Sequence, residues 1–525
     1  MEFRIKLRWL ILISTIIRCI FAVLIELGND EVYYYTYALQ PDWNHFDHPP
    51  LTGQLIRFFT LNLHWLNTFS MRLGPIVLAA FNTWLIAVIL RQILNERAAF
   101  IAAIIYTASI YSSVISGIFI LPDVVANTFW LGSLYFMLCI IKESRNATQN
   151  WQLIALGLCI GIAGMSKIHA IVLWPGFLAY CVFLQPQLLK KGSLYVGILI
   201  TLILLSPIWI WNQEHDFITW KFHSQRVSLF HAGLQPHFFL QAFLGQIFYN
   251  NPLLVFLYVS IGIYLFKSGR AIFNNYKREI CLLLFCGLPI ILVATFLSLF
   301  KQVLPHWSGS GFFSFMLISA IAIDRGLTQT TVPKIRKLFN SVLNFTFIIM
   351  ILAVLVIWFY PGNFFAIDHD KELGKADVTL DMIGWREFGE EFANLREQDI
   401  QQEVMTNKSA ILVHKWFPAG HILFYVARPL DIPVIGLGRI TDLHKFAWLN
   451  QMQPEIQVNE NAYFIAPSNS YVDPESIYRD DFKVIKLVKT MEQKRSGKVI
   501  RKWYIYHLLK ATHPIGRKAI KDYTE

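Results

Sequence analysis

Residues 28–51 read GNDEVYYYTYALQPDWNHFDHPPL. They follow directly on an apolar run from Leu7 to Leu27. They hold four carboxylates, two histidines, five aromatics before Phe46 and a Pro-Pro pair. Charge this dense beside a membrane segment is costly and is usually functional. The run before it is too long for the core of a signal peptide and lacks a small-residue cleavage site. It therefore reads as a retained helix with the loop emerging at its end.

The rest of the chain agrees. It has 525 residues, of which 55% are hydrophobic and 15% charged, and its mean hydropathy is +0.44. Hydropathy predicts about eleven spans, roughly 7–27, 72–90, 98–117, 121–141, 151–165, 168–184, 193–212, 246–266, 280–300, 307–326 and 339–360. Gly164 to Lys167 barely separates the fifth from the sixth. With the N-terminus inside, the inner segments collect Arg4, Lys6, Arg8, Arg91, Arg97, Lys142, Arg145, Lys190 and Lys191 among many others. The outer loops hold Arg57, Lys167, Lys221, Arg226 and Lys301, with Arg72 at a border. This asymmetry sets the orientation and predicts an outer C-terminus.

The net charge of +11 is no sign of nucleic-acid binding. Residues 1–360 carry 24 of the 46 basic and 13 of the 35 acidic side chains, and the remainder carries 22 of each. The excess lies in the membrane part, where topology and anionic lipid account for it. The six cysteines all fall in apolar spans and read as buried, inert thiols.

Composition changes after Tyr360. Trp385 to Leu395 predicts an amphipathic helix; Ala410–His414, Ala462–Ala466, Phe482–Val488 and Lys502–His507 predict strands. The expected organisation is a transmembrane module over 1–360, with a large outer loop at about 28–71, and a soluble α/β domain over 361–525 on the outer face.

The candidate acids and bases of the membrane half fall on the outer side. Asp30 and Glu31 open the first loop. Adjacent side chains diverge, so one can serve as a general base while the other caps the helix starting near Val32. Tyr33, Tyr34, Tyr35 and Tyr37, with Trp43, read as an interfacial belt, whose faces also suit a sugar ring or a polyprenyl chain. In Asp47-His48-Pro49-Pro50 the prolines predict an extended backbone that fixes His48 where it can donate to a phosphate. A solvated surface turn is the alternative. Asp123, after Pro122, reads either as a helix N-cap or as a buried acid facing a cavity. Lys167 and His169 are turn residues or anion ligands. His215, Asp216, His223, His231 and His237 lie in one loop without zinc-site spacing, so no metal is indicated. Lys301 and His306 flank the connection before the tenth span.

These residues resemble the polyprenyl-phosphate-sugar glycosyltransferases of the protein mannosyltransferase type (family 39, GT-C fold), bacterial branch. The resemblance rests on Asp30-Glu31-Val32-Tyr33-Tyr34, then Asp47-His48-Pro49-Pro50-Leu51. Asp123, the run GIAGMSK ending in Lys167, and KQVLPHW ending in Trp307 support it. It covers about residues 5–330 and is looser beyond. It implies a polytopic GT-C helical bundle. It also implies a polyprenyl-phosphate-linked sugar donor, a glycan, lipid or protein acceptor in the cell envelope, and transfer with inversion at the outer face of the inner membrane. On this reading Asp30, Glu31 and Asp123 are the catalytic acids, with Asp30 the base. His48, Lys167 and His306 bind the donor phosphate, and Tyr33, Tyr34, Asp47, Pro49 and Pro50 shape the loop. No cofactor is certain from the sequence; a divalent metal is compatible with it but not indicated. Related transferases that place aminoarabinose on lipid A have Lys where this chain has His48, which points to the general bacterial branch.

A transporter or lipid flippase is the alternative, and it would show broken helices or charges near the bilayer midplane. Arg18 and Glu26 are the residues that bear on it. A structural subunit with an outer binding domain is a third reading, and it leaves the acid-rich loop unexplained.

Overall fold

The computed structural model describes residues 2–142, 148–228, 233–326, 332–362 and 370–517. Arg145 and His231 lie outside the described residues. The chain divides into two compact units, Met1–Ala22 with Trp43–Met350, and Val23–Asp42 with Ile351–Glu525. The helices are, in order, α1 (Glu2–Leu24), α2 (Asn29–Leu39), α3 (Leu51–Phe59), α4 (Thr68–Ile93), α5 (Glu96–Ala108), α6 (Asp123–Lys142), α7 (Thr148–Gly164), α8 (Leu173–Leu184), α9 (Gly192–Glu214), α10 (Ile218–Val227), α11 (Pro236–Tyr249), α12 (Pro252–Lys267), α13 (Arg270–Asn275), α14 (Lys277–Leu297), α15 (Phe312–Gly326), α16 (Val332–Phe359) and α17 (Trp385–Gln401), with shorter turns between and after them.

The first unit is a helical bundle. Seven helices among the described residues are long and apolar enough to cross a membrane, and α11 with α12, bent by 92°, adds an eighth if the pair is one span. The expected count of eleven differs from this at three places. The run 98–117 breaks after Ala108 into a π-helical turn, Tyr111–Ile115. The run 151–165 is the 17-residue α7, and 168–184 is a shorter apolar stretch that begins as a 3-10 turn.

Buried polar side chains hold the irregular places. Arg18 Nε donates to Ser113 O at 3.2 Å, and its terminal nitrogens reach Ser14 and Ser113 hydroxyls at 3.3 Å. Arg18 thus serves the π turn, which satisfies a cation inside the helix. Arg72 Nη1 donates to Ala22 O at 2.9 Å. At the α11–α12 break, Asn251 Nδ2 donates to Ala108 O and Val342 O, each at 3.0 Å. Helices α7 and α9 approach closely: a Cβ on Gly157 would lie 2.1 Å from Gly197 O, and Thr201 Oγ1 donates to Gly157 O at 2.7 Å. Small residues permit such crossings where lipid offers no hydrophobic drive.

The second unit is α/β. Its strands are β1 (Ile411–Val413), β2 (Val434–Gly436), β3 (Ala462–Pro467), β4 (Phe482–Arg495) and β5 (Lys498–Ala511), in the order β2-β1-β3-β5-β4. β1 pairs in parallel with β2 and β3, while β5 runs antiparallel to β3 and β4. Ser496 and Gly497, at φ 50° and 79°, close the β4–β5 hairpin, as a two-residue loop with two positive φ values does. The four predicted strands and the amphipathic helix are present. β4 and β5 are longer than expected, and the three-residue β2 was not anticipated. Asn450 pins it, accepting from Gly436 N–H at 2.8 Å and donating to Gly436 O at 2.7 Å.

Residues 23–42 belong to this second unit. Tyr33, Tyr34, Tyr35 and Tyr37 are buried there, against Trp416, His444 and Phe424. The belt expected for these tyrosines is therefore core. Trp43, by contrast, is 67% exposed. Glu26 accepts from the backbone N–H groups of Trp385 and Arg386 at 2.8 and 3.0 Å. It thereby places a carboxylate on the positive end of α17.

Candidate active site

Within the helical unit, one carboxylate organises the polar cluster. Asp123 is the first residue of α6 and is 1% exposed. Its Oδ2 accepts from Lys167 Nζ at 2.8 Å, and its Oδ1 accepts from the Tyr111 hydroxyl at 2.7 Å. Both oxygens are engaged by side chains, so Asp123 is a buried, bonded acid rather than a simple cap. Lys167 follows the end of α7, where Ser166 Oγ donates to Pro122 O at 2.7 Å and ties the two helix ends together. Tyr111 stands on the π turn held by Arg18. The segment Pro305–Gly311 packs against it: a Cβ on Gly309 would sit 2.2 Å from Tyr111 Cζ, so glycine is required there. Ser310 Oγ donates to Asn127 Oδ1 at 2.7 Å, one turn along from Asp123.

Imidazoles surround the ion pair. His306 and His169 lie within electrostatic reach of Asp123 and Lys167. His169 Nε2 is buried with no hydrogen-bond partner among the described residues. His48 also feels the charges of Lys167 and Asp123. Burial first, then His223 and Lys167, hold its pKa well below the ordinary histidine value, against the opposing pull of Asp47 and Asp123. His48 is therefore neutral at pH 7.

The loop carrying His48 is anchored at several points. His45 N–H donates to His48 O at 3.2 Å, and Leu51 N–H donates to Met165 O at 3.3 Å beside Lys167. Thr219 Oγ1 donates to His45 O at 3.1 Å, and His223 Nε2 lies 2.7 Å from Asp47 O. The Pro-Pro pair is not extended throughout as expected. Pro50 has φ −77° and ψ −20° and is the N-cap residue of α3, where its missing N–H costs no helical hydrogen bond. Among the loop histidines singled out from sequence, His223 holds this loop. His215 stacks on Trp211, and His237 packs on Phe238.

Within the second unit the acid pair diverges. Glu31 is 2% exposed and accepts from the Gly28 N–H at 2.8 Å, capping α2. Asp30, one residue earlier, is exposed. Beside it Asn29 Nδ2 donates to Asp381 Oδ2 at 2.8 Å. Burial raises Asp381 to about 7; Asp30 and Asp377 push the same way, while Arg501 and the Asn29 hydrogen bond oppose. His421 Nε2 faces Asp381 O at 2.8 Å and Leu27 O at 3.0 Å, and burial lowers its pKa to about 3. Lys445 Nζ is buried, has no hydrogen-bond partner among the described residues, and is lowered to about 8 by burial, with Asp42 opposing.

Tyr111, Asn127 and Ser310 were not expected from sequence, nor were Asp381, His421 and Lys445. Asn127 had a signal, the four-residue spacing from Asp123 on one helix face. Tyr111 sits in an apolar run and had none. Among the described residues, no group of three or more His, Cys, Asp and Glu side chains is arranged to hold a metal ion.

Residues 47–211 match the family model described as dolichyl-phosphate-mannose-protein mannosyltransferase. That stretch begins at Asp47 and includes Asp123 and Lys167. No curated protein matches the chain significantly. Among solved structures, the chain is similar to ArnT from Cupriavidus metallidurans bound to undecaprenyl phosphate, with a TM-score of 0.65 at 12% identity over 95% of this chain and 97% of that one. The apo state of the same protein gives 0.60 at 13% identity over the same shares. At these identities the likeness is one of fold. Residues 47–211 thus resemble that family, and the match and the shared fold together make the chain a multi-pass membrane glycosyltransferase of the GT-C fold.

Proposed function

We propose that the protein moves a sugar from a polyprenyl phosphate to an envelope acceptor (lipid, polysaccharide or protein) at the outer face of the inner membrane. The N-terminus is cytoplasmic on this reading, and residues 361–525 form an extracytoplasmic domain. The observation that carries it is the buried Asp123–Lys167 pair ringed by His48, His169 and His306. The fold relative with undecaprenyl phosphate bound supports the same donor class.

Departure of the polyprenyl phosphate from the sugar turns a phosphodiester monoanion into a phosphomonoester with a second charge. Donors already aimed at that phosphate stabilise it more in the transition state than in the ground state. Lys167 uses one N–H on Asp123 and has two left for phosphate oxygens. His48, His169 and His306 add N–H donors. Asp123 keeps Lys167 charged and oriented. The acceptor oxygen attacks the anomeric carbon from the face opposite the phosphate. The C–O bond to phosphate breaks with its electron pair, and the configuration inverts. Asp30 takes the acceptor proton, its carboxylate exposed while Glu31 holds the helix start. Asp47, Pro49 and Pro50 position His48, and Tyr33 and Tyr34 pack the helix that carries Asp30.

The test is transfer by the purified protein from a polyprenyl-phosphate sugar. Asp30→Asn is expected to abolish transfer while leaving donor binding intact, and retained transfer would remove Asp30 as base. Chelator is expected to have no effect; loss restored by a divalent ion would require a metal in the mechanism. Comparing envelope glycans of a deletion strain by mass spectrometry would identify the sugar and acceptor.

A further inference from the structure

A second cleft lies in the helical unit, at the opposite end of the helices that carry the site. It has about 200 Å³ of open volume and is lined by α1, α4 and the start of α5. From α1 come Arg4, Leu7, Arg8 and Ile11; from α4 come Trp84, Ala87, Val88 and Arg91; Glu96 and Ala99 complete it. Both helical sets follow the three-and-four spacing of a single face. The helices run antiparallel: Arg72 on the first turns of α4 bonds Ala22 near the end of α1, while Arg4 pairs with Glu96 just past the end of α4. The arginines therefore gather at one end of the cleft, and Ile11 and Trp84 lie at the other, about 10 Å deeper along the helix axes. Lys142, at the far end of α6 from Asp123, reaches Gln92 O at 2.7 Å at this same end. The length of α6 separates the cleft from the Asp123 cluster by about 30 Å.

The charges do not cancel. Arg4 lies 2.7 Å and Arg91 3.9 Å from the single carboxylate of Glu96. Arg8 makes no ion pair among the described residues. The apolar wall is open as well, with Trp84 45% exposed. A cationic rim above an apolar wall, at the end of a transmembrane bundle, matches one amphiphile: an anionic phosphate joined to a hydrocarbon chain.

We propose that this cleft binds the headgroup phosphate and the first acyl segment of an anionic phospholipid in the leaflet opposite the reaction. Arg8 and Arg91 contact the phosphate, Arg4 is steadied by Glu96, and the chain lies along Leu7, Ile11, Trp84 and Val88. The cleft is independent of the transfer chemistry proposed above.

Native mass spectrometry of the full chain in detergent, titrated with phosphatidylglycerol or phosphatidylethanolamine, tests it. The wild type is expected to retain phosphatidylglycerol preferentially. The double variant Arg8→Gln/Arg91→Gln is expected to bind it about 10–30-fold more weakly, since each interfacial cation supplies a comparable share of the attraction. Lys190→Gln/Lys191→Gln, which removes as much charge from the same end, is expected to change nothing. Equal retention by both double variants, or equal weakening, would overturn the site. Trp84→Ala separates lipid from soluble anion: lipid binding is expected to fall, and inorganic phosphate alone to give no thermal shift. A phosphate shift dependent on Arg8 and Arg91, with no lipid selectivity, would reject the lipid. A wild-type melting temperature in each variant confirms that folding is intact.

Discussion

Lys167 Nζ lies 2.8 Å from Asp123 Oδ2, with the two side chains only 9% and 1% exposed. Two charges removed from water at a membrane boundary persist only when each satisfies the other and further hydrogen bonds complete the set. Tyr111 supplies the second bond to the carboxylate, so both of its oxygens are engaged, while Lys167 gives one of its three ammonium hydrogens to the pair.

Removing one partner should therefore cost more than removing both. Lys167→Met strands the carboxylate and is expected to destabilise the protein by about 3–5 kcal/mol and abolish transfer. Lys167→Met/Asp123→Leu is expected to recover most of the stability and none of the activity. A thermal-melt double-mutant cycle with parallel transfer assays measures this. Additive stability losses would show the pair to be uncoupled.

Tyr111 and Gly309 form a second pair with opposite demands on space. Gly309→Ala places a methyl group 2.2 Å from Tyr111 Cζ, and the ring must leave Asp123. Tyr111→Phe removes the hydroxyl and keeps the ring. Hydrogen bonds to charged groups contribute about 1.5–3 kcal/mol, so kcat in either variant should fall on the order of tenfold or more. Only Gly309→Ala should also change the packing of Pro305–Gly311, read as faster proteolysis or hydrogen exchange there.

Asp381 makes stability depend on pH. Its folded pKa of about 7 lies above the unfolded value of about 4. The stability linked to this group is therefore fully present below pH 4 and lost as pH rises through 7. His421, lowered to about 3, acts in the other direction: its contribution is present above about pH 6.5 and lost on acidification. Asp381→Asn isolates the first effect. The wild-type melting temperature minus that of the variant is expected to decline between pH 5 and 8. A flat difference would show that Asp381 titrates normally.

Lys445 buries an amine that has no hydrogen-bond partner among the described residues. Its folded pKa of about 8 lies below the unfolded value, so the stability linked to it falls as pH drops through 8. Lys445→Met at pH 7 is expected to raise the melting temperature, since a buried cation is replaced by an apolar chain of similar length. Lost transfer with raised stability would place the amine on a ligand. Lost stability would show that Asp42 already compensates the charge.

Membrane character, the loop at 28–51 and the strands at 462 and 482 were legible because each depends on local composition or spacing. Hydropathy counts apolar residues in a window, and a two-residue period marks a strand without knowledge of its neighbours. The breaks were less legible. The end of α5 at Ala108 and the bend at Asn251 lie inside apolar runs, where only bonds from Arg18, Thr346 and Asn251 to distant backbone atoms make an interruption stable. The tyrosines after Glu31 had the composition of an interfacial belt. Their burial follows from residues such as Trp416 and Phe424, nearly 400 positions later.

The candidate site divides along the same line. Asp30, His48, Asp123, Lys167 and His306 stood out in the sequence because ionisable groups are rare and costly beside apolar spans. Their partners were decided by tertiary structure. Tyr111 meets Asp123 because Arg18 holds a π turn and Gly309 leaves room for a ring. Asp381 meets Asn29 across some 350 residues of intervening chain. Sequence alone determined which residues carry charge, and where they fall relative to the apolar runs. Tertiary packing decided which charges neutralise one another and which stay available, because burial and partner distance are set by elements far apart in the chain.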